Sequence, residues 1–221
     1  MGEVISISIS VVALLVSIGT AWLTFLRRGT VKMTQPTLIF FGPDGGFDPG
    51  EAPSKVFLRT LLFATSRRGR VIENMHLRIT VNETVQNFNV WAYGEERLVR
   101  GSGLFVGETG VSVNHHFVEP RDGSAFRFIK GTYRIEVYAK LLGDTKPQML
   151  FSQTLEVKPE EASEMANKEL GLYFSWGPDS ARYVSHVEGP RKTPMPVDLM
   201  KLFAPPAKSG TQEVGLTDTG K

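Results

Sequence analysis

The chain has 221 residues, a formal net charge of +2 and no cysteine. That length suits one domain of ordinary size beside an anchor. The near-neutral balance gives no basic footprint for nucleic acid, and the missing thiols exclude a disulfide framework and any thiolate metal site.

From Val4 to Leu26 the sequence is uncharged and largely apolar, and Arg27, Arg28 and Lys32 follow at once. At ~1.5 Å per helical residue this run exceeds the ~30 Å hydrocarbon core of a bilayer. It is too long for a cleaved signal and no cation precedes it. The reading is a transmembrane helix over 4–26, an extracytoplasmic tail over 1–3 and a basic juxtamembrane linker over 27–36. Cations stay on the cytoplasmic side, so the N-terminus is expected outside and the C-terminal domain in the cytoplasm. Trp22 belongs at that interface, with Arg27, Arg28 and Lys32 setting topology and touching lipid. Within the span Ser6, Ser10, Ala13, Ser17, Thr20 and Thr24 recur at steps of four and three, which places them on one side of a helix. Small and hydroxyl side chains let helices approach in lipid, so this stripe is a candidate face for a second copy or a membrane-protein partner.

After Gly29 the apolar residues change period. Met75, Leu77, Ile79 and Val81 alternate with polar neighbours, as do Tyr133, Ile135, Val137 and Ala139, then Phe151, Leu155 and Val157. Such alternation marks strands with one buried face. Further strands are predicted at Thr37–Phe41, Lys55–Thr65, Val85–Ala92, Leu98–Val106, Val111–Val118 and Ala125–Ile129, with turns at Gly42–Gly46, Arg121–Gly123 and Gly143–Pro147. Short strands at this spacing predict an all-β sandwich over 37–188. Lys158-Pro159-Glu160-Glu161 opens one short C-terminal helix near 159–170, with Ala162, Met165, Ala166 and Leu170 as its apolar stripe. Leu172–Trp176 and Ala181–Val187 then form a hairpin. Residues 189–221 read as a disordered tail, in which Val197, Leu199, Met200, Leu202 and Phe203 make one docking segment for a partner groove or for the domain itself.

The stretch from Ala125 to Val157 resembles the last three strands of an immunoglobulin or fibronectin-like sandwich. The resemblance implies that Tyr133 is the tyrosine at the corner leading into the penultimate strand. A second resemblance attaches to Gly101-Ser102-Gly103-Leu104-Phe105-Val106 followed by Asn114-His115-His116. It is similar to the segment of bacterial trypsin-like serine proteases that presents the catalytic histidine, and it implies His116 as a general base. No Gly-x-Ser-Gly-Gly turn follows, and a histidine without nucleophile and oxyanion hole performs no acyl transfer. Adjacent strand residues point to opposite faces, so His115 and His116 do not chelate one ion; His115 is expected buried and His116 exposed. The glycine-rich stretch Gly101–Gly110 lacks a P-loop ending and reads as a hairpin turn.

The sequence therefore leads to a single-pass membrane protein carrying an immunoglobulin/fibronectin-like β-sandwich as an interaction or scaffolding module on the cytoplasmic face. No catalytic, cofactor or metal residue is assigned, and neither nucleic acid nor a small-molecule substrate is indicated. The alternatives are an envelope or surface ligand-binding domain with inverted topology and an unrecognised hydrolase subunit.

Overall fold

The computed structural model describes residues 2–26, 28–44, 52–94, 98–120, 126–168 and 170–189. Arg27, the turn Arg121–Gly123 and the segment Val197, Leu199, Met200, Leu202 and Phe203 lie outside the described residues. Helix α1 (Gly2–Ala21) closes in a π-helical turn (Trp22–Leu26). It starts at Gly2, so Glu3, expected in a tail, sits in its first turn, where unpaired N–H groups favour a carboxylate. The stretch Gly2–Thr24 is long and apolar enough to cross a membrane, with hydropathy 2.3, and no residue of α1 is buried.

Strands hold more than half of the described residues, which makes the domain all-β. In chain order they are β1 (Val31–Met33), β2 (Leu38–Pro43), β3 (Ser54–Ala64), β4 (Arg70–Val81), β5 (Thr84–Phe88), β6 (Val90–Gly94) and β7 (Val99–Arg100). Then come β8 (Leu104–Val106), β9 (Val111–Val118), β10 (Gly131–Leu141), β11 (Gln148–Val157), helix α2 (Pro159–Lys168), β12 (Gly171–Gly177) and β13 (Arg182–Glu188). They form two antiparallel sheets. Sheet A runs β13-β12-β2-β3-β9-β6-β7, with β1 also on β3; sheet B runs β11-β10-β4-β5, with β8 also on β4. The inward residues of both meet in one core. Leu58 and Phe117 of sheet A and Leu77, Ile79 and Ile135 of sheet B are all fully buried. Phe41 of β2 joins the two layers, its ring 5.5 Å from Tyr133 of β10 and 4.8 Å from Phe128.

The structure departs from the predicted strands at identifiable places. Asn74 pairs with Lys140 and Ile72 with Leu141, so Glu73 is an extra residue. This bulge moves the inward phase from Ile72 to Met75, which is why alternation begins there. Val85–Ala92 is two strands, because the chain passes from sheet B to sheet A at Asn89. Leu98–Val106 is also two, passing from sheet A to sheet B through Gly101–Gly103; that glycine run is a crossing between sheets rather than a hairpin turn. Asn82 and Glu83 both have positive φ, 44° and 67°, and form the two-residue turn between β4 and β5.

Phe126–Ile129, expected as strand, pair with no neighbour. Side chains hold them instead: the Phe126 N–H donates to the buried Glu119 carboxylate at 3.2 Å, and Ser54 Oγ donates to its carbonyl at 2.5 Å. Tyr133 does so for Ile129, donating its hydroxyl to the carbonyl at 2.7 Å while accepting from the N–H at 2.8 Å. This is the corner expected of Tyr133, and burial pushes its phenol up to about 12. Helix α2 begins as expected, the Glu161 carboxylate reaching back to the Lys158 N–H at 2.9 Å. Met165 is buried, whereas Ala166, placed on the same stripe by spacing, is exposed.

Residues 28–36, expected to be a linker, belong to the sandwich. Val31–Met33 pairs with Leu62–Ala64 of β3, and Leu38–Pro43 continues along the same edge after a break at Thr34–Thr37.

Candidate functional site

From Arg28 onward the chain enters the sandwich without slack. The Arg28 carbonyl accepts from Ser66 Oγ at 3.3 Å and the Gly29 carbonyl from Arg70 Nη1 at 3.0 Å. Thr30 and Thr65 exchange bonds, Thr30 N–H to Thr65 Oγ1 and Thr65 N–H to the Thr30 carbonyl, each at 2.8 Å. Gly29 has φ +56°, and a Cβ there would lie 2.6 Å from that of Ser66, so only glycine passes this point without strain. Arg70 also pairs with Asp144 at 2.7 Å, tying the β3–β4 turn to the β10–β11 turn.

Beside this junction lies a cleft of about 330 Å³, lined by Arg28, Arg68, Gly69, Arg70, Phe105 and Leu142 among others. Arg28, Arg67 and Arg68 are exposed, and among the described residues none of them has a carboxylate partner. Phe105 and Leu142 expose 61% and 59% of their surface, unusual for apolar side chains set among arginines. The Phe105 ring rests on Gly69, where a Cβ would come within 2.6 Å of it. A second cleft of about 290 Å³, lined by Pro43, Ser54, Glu119, Phe128 and Met165 among others, occupies the opposite end of β3.

The histidines separate as the strand geometry requires. His115 points into the core, fully buried, and its Nδ1 accepts from Trp91 Nε1–H at 3.2 Å. That bond keeps the proton on Nε2, which has no hydrogen-bond partner. Burial lowers its pKa to about 4, and the neighbouring His116 acts in the same direction. Gly101 packs against the Trp91 ring so closely that a Cβ would lie 1.9 Å from Cε3. The structure thus brings the Gly101-Ser102-Gly103 run and His115 together, but as packing around a tryptophan. His116, expected exposed, is half-buried on the outer face; burial and then Lys55 lower its pKa to about 4, against the pull of Asp44. Among the described residues neither histidine is hydrogen-bonded to a serine or a carboxylate, and no group of three or more His, Asp or Glu could hold a metal ion.

His116 belongs to a different arrangement, absent from the sequence reading. In register across sheet A, His186 of β13 faces Tyr173 of β12, Tyr173 faces Phe40 of β2, Phe40 faces Phe57 of β3 and Phe57 faces His116 of β9. All five side chains lie on the outer face, and neighbouring rings approach to 5.5 Å for His186 and Tyr173, 4.9 Å for Tyr173 and Phe40, and 5.0 Å for Phe57 and His116. Phe40 lies down over Gly42 and Gly171, where Cβ atoms would come within 2.5 and 2.0 Å of its ring. Lys55, paired with Asp44 at 2.7 Å, sits 5.9 Å above the Phe40 ring. The sequence signal was an aromatic residue in the polar phase of a strand, as with Phe57 between buried Val56 and Leu58.

On α1, Ser10, Ser17 and Thr20 donate their hydroxyls to the carbonyls of Ser6, Ala13 and Val16 at 2.8–2.9 Å. Ser6, Ser10, Ala13, Ser17 and Thr20 lie on the α-helix proper, while Thr24 falls in the π-helical turn, whose wider spacing alters its phase. Trp22, in the same turn, is 60% exposed, and Lys32 is exposed on β1.

These elements define a two-sheet β-sandwich behind an N-terminal apolar helix. No protein-family model matches the chain, and no curated protein is a detectable relative. Among solved structures it is similar to the CooA pilin subunit from enterotoxigenic Escherichia coli, at 11% identity and a TM-score of 0.30, over 59% of this chain and 99% of the pilin chain. A likeness at that level carries neither fold nor function from one protein to the other.

Proposed function

We propose that the chain is a single-pass membrane protein, N-terminus outside, whose cytoplasmic sandwich is a protein-interaction module docking partners on sheet A. The observation that carries this reading is the row of five outward rings from His116 to His186. Flat aromatic surface of this kind supplies large contact area at small entropic cost, and aromatic residues are enriched where proteins meet. An immunoglobulin-type arrangement fits the reading: β2, β3 and β9 share one sheet, β4, β10 and β11 the other, and Tyr133 makes the corner bond. In the membrane, the small-residue side of α1 is the face proposed to meet a second helix.

The test compares two double variants of the full-length protein purified in mild detergent. Phe57→Ser with Tyr173→Ser is expected to abolish retention of the co-purifying partner without unfolding the domain. His76→Ser with Tyr138→Ser, which removes the stacked pair on the outer face of sheet B, 5.1 Å apart, should leave it intact. Equal retention by both variants would sink the proposed docking face.

Orientation is tested separately. The basic flank, Arg28 with Arg67 and Arg68 beside it, supports a cytoplasmic domain. A reporter fused after Lys221 should be active in the cytoplasm, and protease added to intact cells should spare the sandwich. Digestion from outside would instead assign the surface ligand-binding alternative.

A further inference from the structure

We infer that the cleft at the base of the sandwich holds the phosphate of an anionic phospholipid, so that the domain is seated on the bilayer surface as well as tethered to it. The inference rests on reading α1 as a membrane span, though not on its direction. Arg28 follows Leu26, the last residue of the helix, by two residues, at most roughly 7 Å of chain. The polar zone on each side of a bilayer is roughly 5–7 Å deep, so Arg28 lies at headgroup level.

The remaining groups are carried to that level by hydrogen bonds. Ser66 and Arg70 hold the Arg28 and Gly29 carbonyls, which fixes the β3–β4 turn, the carrier of Arg67 and Arg68, beside Arg28. Asp144, the carboxylate at the cleft edge, is taken up by Arg70, so it does not neutralise the exposed guanidinium groups. Guanidinium is the side chain best shaped for phosphate, through paired N–H donors. Phe105 and Leu142 complete the chemistry: their exposed apolar surface faces water without compensation, whereas at the headgroup boundary it meets acyl chain. Charge and apolar surface side by side are what a phospholipid offers and a free phosphate does not.

The full-length protein, reconstituted in nanodiscs of equal parts phosphatidylglycerol and phosphatidylcholine, is released from them and its retained lipid counted by native mass spectrometry. Wild type should retain phosphatidylglycerol preferentially. Arg67→Gln with Arg68→Gln should reduce that preference roughly fivefold per arginine removed, with the melting temperature unchanged because both side chains are exposed. Lys130→Gln with Lys158→Gln, the same charge change at the far end of the sandwich, should have no effect. Equal preference in wild type and the arginine variant would overturn the inference. So would release of the lipid by millimolar inorganic phosphate, which would make the cleft a general anion site. Carbonate extraction keeps the two readings apart: a chain that washes off membranes refutes the span itself, while one that stays but shows no arginine dependence refutes only the headgroup seat.

Discussion

Leu77→Asp is expected to unfold the sandwich. Leu77 is fully buried and faces Val137 on one side and Phe88 on the other, both themselves without exposure. An aspartate there loses the apolar contacts of a central strand and places an unpaired carboxylate between two sheets. Burying such a charge costs several kcal/mol, a large share of the ~5–15 kcal/mol by which a domain is stable. Loss of the cooperative thermal transition, with early cleavage by added protease, is the result to look for. Ser152→Ala, at an exposed position of the edge strand β11, should shift stability by no more than about 0.5 kcal/mol. A Leu77→Asp protein melting like wild type would mean that β4 is out of register by one residue, with His76 and Arg78 facing the core.

Acid is expected to destabilise the domain through His115. Its folded pKa, about 4, lies below the ordinary 6.5, so as pH falls the unfolded chain takes up the proton first. Stability is therefore fully present above pH 6.5, declines as pH falls from there, and stops declining on this account below about pH 4, where the folded state is protonated as well. The full shift corresponds to ~3 kcal/mol for this group. Its surroundings offer no relief: Trp91 donates to Nδ1, Tyr93 and Phe117 flank the ring, and His116 opposes the charge. Urea unfolding of wild type and His115→Gln from neutral pH down to about pH 4 measures the effect. Glutamine can still accept from Trp91 but does not titrate, so most of the difference in slope between the two proteins belongs to the imidazole. Parallel profiles would show that His115 is solvated.

Local signals made the class of fold legible. The uninterrupted apolar run of α1, the alternation in β4 and β10, the paired acids at the start of α2 and the tyrosine two residues after Gly131 each act over a few residues, and each took the form their chemistry implies. What stayed hidden depends on partners distant in sequence. Nothing around Asn89 or Gly101 announces that the chain leaves one sheet for the other, because the halves are short strands whose sheet is set by partners elsewhere in the chain. The three residues of β1 are too short to alternate detectably and are held by β3, thirty positions away. The same limit concealed both surfaces of interest. Phe40, Phe57 and Tyr173 form one surface only when their strands are set side by side, and Arg67 and Arg68 come beside Arg28 only because Ser66 and Arg70 hold the carbonyls of Arg28 and Gly29.

The absence of slack at Gly29 also fixes a height. Phe57 precedes Thr65 by eight residues of extended chain, a span of up to roughly 27 Å at ~3.4 Å per residue. Under the proposed membrane seat the whole row, in register across the strands, stands up to about that far from the headgroups. A partner that docks there must itself reach that far from the bilayer. In the proposed docking, short loops on a neighbouring membrane protein would pass underneath, whereas a folded domain of similar stature would meet the rings edge to edge, so the height of the row would select partners by how far they protrude.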